Sequence, residues 1–123
     1  MALLLALLIS GCIQSMKVDI DDLLSNPERY QGRRICTEGI YVSGFEASAL
    51  GASTYQVGGA VYLTAPAMWI ERPDIRSRSD CFETQTTPPA EFCHATVCGL
   101  FECGGEYGHL GAYECQLRGG TAW

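Results

Sequence analysis

Seven cysteines fall within a chain of 123 residues, and that density constrains the fold more than any other feature. Small exported domains use disulfides to supplement a core too small to hold them alone, so this spacing reads as a disulfide framework. The length suits one compact domain. Hydrophobic residues make up 47% of the chain and charged residues 18%, a balance that buries a core and excludes a disordered, highly charged body. The 14 acidic side chains outnumber the 8 Lys and Arg, for a net charge of −6. Nucleic acid is therefore not an expected partner, because affinity for it comes largely from neutralised phosphates. An odd number of cysteines leaves one without a bridge partner.

Residues Ala2 to Ile9 are all apolar, and the run stops at Ser10-Gly11-Cys12. A spanning helix needs about 20 apolar residues to cross the hydrocarbon. This run is far shorter and is followed by Gln14, Ser15 and Lys17, so it reads as the apolar region of a signal segment. No Lys or Arg precedes it, a departure from the usual positive start. The tetrapeptide Ile9-Ser10-Gly11-Cys12 resembles the bacterial lipobox, in which two small residues precede a cysteine that receives fatty acyl chains, palmitate among them. The resemblance implies removal of residues 1–11 as a signal peptide, lipid on Cys12, and a short tether over 12–17. The partner it implies first is the membrane itself, through that lipid. It places the protein in the bacterial cell envelope, and Ile13 after the cysteine, where Asp would retain it, favours the outer membrane facing the periplasm. With Cys12 lipidated, six cysteines remain.

The folded domain is expected over 18–123. Apolar residues at 20, 23 and 24 predict a short amphipathic helix, with Asp19 placed to cap it and Asp21 and Asp22 in the first turn, where carboxylates suit the exposed N–H groups. Asn26 precedes Pro27, which ends the helix, and a second short turn runs to Tyr30. Arg33 to Phe45 alternates β-branched and aromatic residues with polar ones and predicts a long first strand. Glu46–Leu50 with Thr54–Val57 reads as a broken second strand and Ala60–Thr64 as a third. Residues Ala65 to Phe92 carry four of the five prolines and read as a long surface loop. Ala95–Glu102 and Ala112–Arg118 read as the fourth and fifth strands, joined by a glycine-rich turn that contains His109.

Five short strands and an N-terminal helix predict a mainly β fold, a small five-stranded barrel stabilised by disulfides. The run from Leu23 through Ile35, with Glu38-Gly39-Ile40-Tyr41-Val42, resembles the opening of small bacterial envelope lipoproteins that carry an OB-like barrel, the type that binds oligonucleotides or oligosaccharides. Phe45 to Leu50, Val97-Cys98-Gly99-Leu100-Phe101 and Gly108 to Tyr113 are similar to their second strand and their last two strands. The six cysteines allow more pairings than sequence alone resolves. The strand order that the resemblance implies favours Cys36 with Cys98, outside the core, and Cys103 with Cys115 across the last hairpin. That leaves Cys81 with Cys93.

Catalytic signatures are absent from the sequence: there is no Gly-x-Ser-x-Gly, His-Glu-x-x-His or phosphate-loop pattern. Cys93 and His94 are neighbours on a predicted strand and point to opposite faces, a poor arrangement for a nucleophile and its base. The even spacing of Cys93, Cys98 and Cys103 lacks the close cysteine pairs of a zinc site, so no metal or other cofactor is expected. The sequence therefore points to a binding or structural module for an envelope protein or a glycan. Tyr55 and Tyr62 on the second and third strands and Trp69 in the adjoining loop are the candidate binding residues. The alternative is an envelope enzyme of the glycan hydrolase type, using two carboxylates among Glu46, Glu71 and Asp74 as acid and base.

Overall fold

A computed structural model describes residues 15–71, 73–75, 79–84 and 89–122. The expected signal segment and Cys12 lie outside the described residues. Helix α1 (Ile20–Ser25) begins as its sequence predicts, with the Asp19 carboxylate accepting from the backbone N–H of Asp21 at 3.0 Å and of Asp22 at 3.3 Å. Pro27 sits in the first turn of α2 (Pro27–Tyr30), where its missing N–H costs nothing. Asp22 ties the two turns together: it accepts from the Tyr30 hydroxyl and, at 2.9 Å, from Asn26 Nδ2. The Tyr30 hydrogen bond holds the Asp22 carboxyl below its usual range against the opposing effect of desolvation, and the same bond pushes the Tyr30 phenol up. Leu23 points away from this surface network and is fully buried.

The rest of the described chain is mainly β. Its strands are β1 (Met16–Lys17), β2 (Arg34–Gly44), β3 (Ala47–Gly51), β4 (Thr54–Val57), β5 (Ala60–Leu63), β6 (Ala67–Glu71), β7 (Asp74–Ile75), β8 (Ser79–Glu83), β9 (Ala90–Tyr107) and β10 (Tyr113–Ala122). Eight of them form one sheet, and β4 and β5 pair as a separate hairpin. Within the main sheet β2 pairs antiparallel with both β3 and β9, β3 with β6, and β9 with β10, while β6 and β10 run parallel. Each of these five strands therefore has two partners among the other four. β1 lies parallel on the start of β2, β7 parallel on β10, and β8 antiparallel on the first part of β9.

Side-chain alternation sends one face of each long strand inward. Ile35, Leu50, Met68, Ile70, Val97, Phe101 and Leu117 are essentially inaccessible and meet Leu23 of α1 in one core. The β9–β10 pair closes around Gly120, where a Cβ would stand 1.4 Å from the Cys98 carbonyl oxygen, so the backbones approach as only glycine permits.

Three disulfides join Cys36–Cys98, Cys81–Cys93 and Cys103–Cys115, the first and last being the pairs expected from the strand order and the second the one left by elimination. Each links residues directly opposite one another on antiparallel strands. Cys115 and Cys103 pack against the core, and the Cys36–Cys98 bridge lies on the face opposite Ile35 and Val97.

Four expectations require correction. Ala60–Leu63 is a strand, but it pairs with Thr54–Val57 outside the main sheet, so neither segment belongs to the second or third main strand. The third main strand is β6, inside the segment read as a loop: Met68 and Ile70 fill the core between Pro66 and Pro73, and the prolines bound the strand without interrupting it. That segment also contains β7 and β8. The glycine-rich connection is strand through Tyr107, and only a single 3-10 turn, His109–Gly111, remains of the expected turn. The residues expected as a free tether are shorter by one strand, since Met16 and Lys17 pair with Ile35 and Cys36.

Candidate functional site

The hairpin β4–β5 pairs apart from the main sheet, and an open groove of about 670 Å³ lies between hairpin and sheet. Tyr55 and Tyr62 are directly paired across the hairpin. Their rings stack with centroids 5.5 Å apart, and each is 49% exposed at the groove rim. Val42, Phe92 and Tyr113 supply further apolar lining, and Glu114 a carboxylate. Burial raises the Tyr113 phenol above its usual range, and the neutral hydroxyl offers both a donor and an acceptor.

Trp69 continues this aromatic surface beyond the groove. Its ring lies 5.7 Å from that of Tyr113, and its Nε1 donates to Glu71 Oε2 at 2.7 Å. The β9–β10 turn crosses over the indole at Gly108, whose Cβ position would be 2.5 Å from the ring. One residue on, His109 Nε2 meets Glu46 Oε2 of the β2–β3 turn at 3.1 Å. Next to these bridging residues stand two exposed apolar side chains, Phe45 at 73% and Leu110 at 90%. The groove that holds the tyrosine pair also holds Tyr113, and from Tyr113 contacts run through Trp69 to the two joined turns.

All three aromatics expected to bind lie on this surface, and none belongs to the core cluster. Sequence reasoning missed Tyr113, Phe92, Phe45 and Leu110. The signal for Phe45 was its place in a tight connection between two strands, where an apolar side chain has nothing to bury it. His109 was expected as a structural turn residue, and its contact with Glu46 depends on two turns far apart in sequence.

The alternative catalytic residues do not converge in the groove: Glu46, Glu71 and Asp74 are not among its lining. Glu46 is engaged by His109 and Glu71 by the Trp69 indole. Cys93 is buried and His94 exposed, on opposite faces as expected. Ligand atoms of Cys81, Glu91 and Cys93 lie within 4.8 Å of one another, but both sulfurs are consumed in a disulfide and offer no thiolate to a metal.

Compared with known proteins, the chain matches no protein family, no curated protein and no solved structure. The functional reading therefore rests on the geometry of this surface and on the sequence.

Proposed function

We propose that the chain is a lipid-anchored binding module of the bacterial envelope, built on an OB-like closed barrel, whose aromatic groove receives a segment of an envelope protein. The barrel is supported by the five strands that each have two partners among the others, with one parallel pair between the third and the last. The lipid anchor rests on the lipobox-like sequence at Cys12. The observation that carries the binding reading is the stacked, half-exposed Tyr55–Tyr62 pair on a hairpin held away from the main sheet. An aromatic pair kept out of a core is a poor use of apolar area unless something covers it, and tyrosine is enriched where partners dock. The apolar walls of Val42 and Phe92 beneath it favour a polypeptide side chain, with a sugar ring stacked on a tyrosine face as the second choice.

Photo-crosslinking in cells tests this. A photoreactive residue placed at Tyr62 is expected to give a discrete adduct, and one placed at Arg29, which is exposed on α2 and does not line the groove, is not. An adduct removed by protease identifies a protein occupant, and one removed by muramidase identifies glycan. No adduct at 62, or equal adducts at both positions, ends the groove reading.

A further inference from the structure

The short parallel strand β1 fixes where the chain leaves the folded body. Met16 pairs with Ile35 and Lys17 with Cys36, both in the direction of β2. Traced backwards, the chain therefore leaves past Arg34 and Arg33. Cys12 is only three residues before Ser15, a reach of about 10 Å at ~3.5 Å per residue. Whatever membrane holds Cys12 lies close to this end of the domain.

The charges at that end differ from those of the whole protein. Arg34 stands opposite Leu100, and Leu100 stands opposite Arg118, so the two guanidinium groups flank one leucine on the outer face. Lys17 lies beside them with its side chain 76% exposed, and Arg33 is exposed at the entry to β2. Lys17 pairs with Glu38 at 3.2 Å and Arg118 with Glu102 at 2.7 Å. Among the described residues Arg33 and Arg34 have no ion-pair partner. With Asp19 included, this end holds four cations against three carboxylates, while the remainder of the chain holds four against eleven. The net charge of −6 is thus unevenly distributed. A charge separation of this kind turns the cationic end toward an anionic surface and the acidic remainder away from it.

We infer that the outer face around Arg33, Arg34 and Arg118 rests on anionic lipid headgroups and so fixes the orientation of the domain on its membrane. This rests on the lipid anchor proposed at Cys12. The lipid supplies attachment, and the arginines supply orientation, each cation at an anionic surface favouring the docked state by about fivefold.

The test uses the full lipidated chain with vesicles of pure phosphatidylcholine and of equal parts phosphatidylcholine and phosphatidylglycerol. Flotation with the neutral vesicles reads the anchor. Arginine modification by phenylglyoxal, resolved by peptide mass, reads the face. The expected result is modification of Arg33 and Arg34 at least about fivefold slower on the anionic vesicles, with the difference lost in high salt. A protein that floats with neutral vesicles but shows equal rates on both keeps its anchor and loses the docking face. A protein that floats with neither loses both.

Discussion

His109 Nε2 lies 3.1 Å from Glu46 Oε2 and so joins the β9–β10 turn to the β2–β3 turn, two segments more than sixty residues apart in the chain. The pair is about half exposed on each side, and pairs of that kind contribute at most about 1 kcal/mol. Backbone geometry adds a separate cost, because Glu46 has φ 55°, in the left-handed region that a Cβ disfavours by roughly 1 to 2 kcal/mol. Glu46→Ala is therefore expected to lose under about 1 kcal/mol. Glu46→Gly, which removes the same carboxylate but relieves the backbone, is expected to be more stable than Glu46→Ala by roughly 1 kcal/mol. Urea unfolding of the two variants measures the difference, and equal stabilities would mean that the turn is not held in this conformation.

Gly108 is both left-handed, at φ +74°, and pressed against Trp69. Gly108→Ala is expected to cost roughly 2 to 4 kcal/mol, from backbone strain and overpacking together. It is also expected to push the indole off its Glu71 hydrogen bond and shift the tryptophan emission. A stability change under about 0.5 kcal/mol with unaltered emission would show that the turn does not cross the ring.

Thr37 is fully buried, and among the described residues its hydroxyl has no hydrogen-bond partner. An unsatisfied buried polar group costs about 1 to 3 kcal/mol. Thr37→Val keeps the shape and removes the hydroxyl, so it is expected to raise stability by about 1 kcal/mol. A loss measured by thermal or urea unfolding would reveal a partner for that hydroxyl.

The disulfides differ in the length of chain that they close, 62 residues apart for Cys36–Cys98 and 12 for Cys81–Cys93. In the chain-entropy account these are worth about 4 and about 3 kcal/mol. Replacing both cysteines of the first pair by serine is thus expected to cost about 1 to 2 kcal/mol more than the same change in the second. Reversal of that order in denaturant titrations would locate their value in native packing instead.

Acid and base should both weaken the Asp22–Tyr30 contact. The Asp22 carboxyl is depressed in the folded state, so its contribution is present above the unfolded carboxylate range, near 3.8, and is lost as pH falls through the lower folded value. The Tyr30 phenol is raised, so its contribution is present below about 10 and is lost as pH rises through the higher folded value. Tyr30→Phe is expected to flatten both limbs of the stability profile relative to the native chain. Parallel profiles for the two proteins would exclude this hydrogen bond from the pH dependence.

What the sequence determined by itself was local. Asp19, the acidic first turn and Pro27 specify α1 and α2 through groups a few residues apart, and the alternation from Arg34 to Gly44 specifies β2 through its own pleat. Tertiary structure decided which strands share a sheet. Ala60–Leu63 has a strand's pattern and nothing in it announces that it pairs with β4 apart from the main sheet, whereas β6 joins the main sheet between Ala49 to Gly51 of β3 and Gln116 to Arg118 of β10, far along the chain. The same holds for the candidate site. Tyr55 and Tyr62 were legible as aromatics in strands and Trp69 as an aromatic in a loop, but the exposure of the tyrosines follows from the hairpin standing apart, and the partial burial of Trp69 from the β9–β10 turn crossing the indole. Those are long-range contacts, and residue type alone does not encode them.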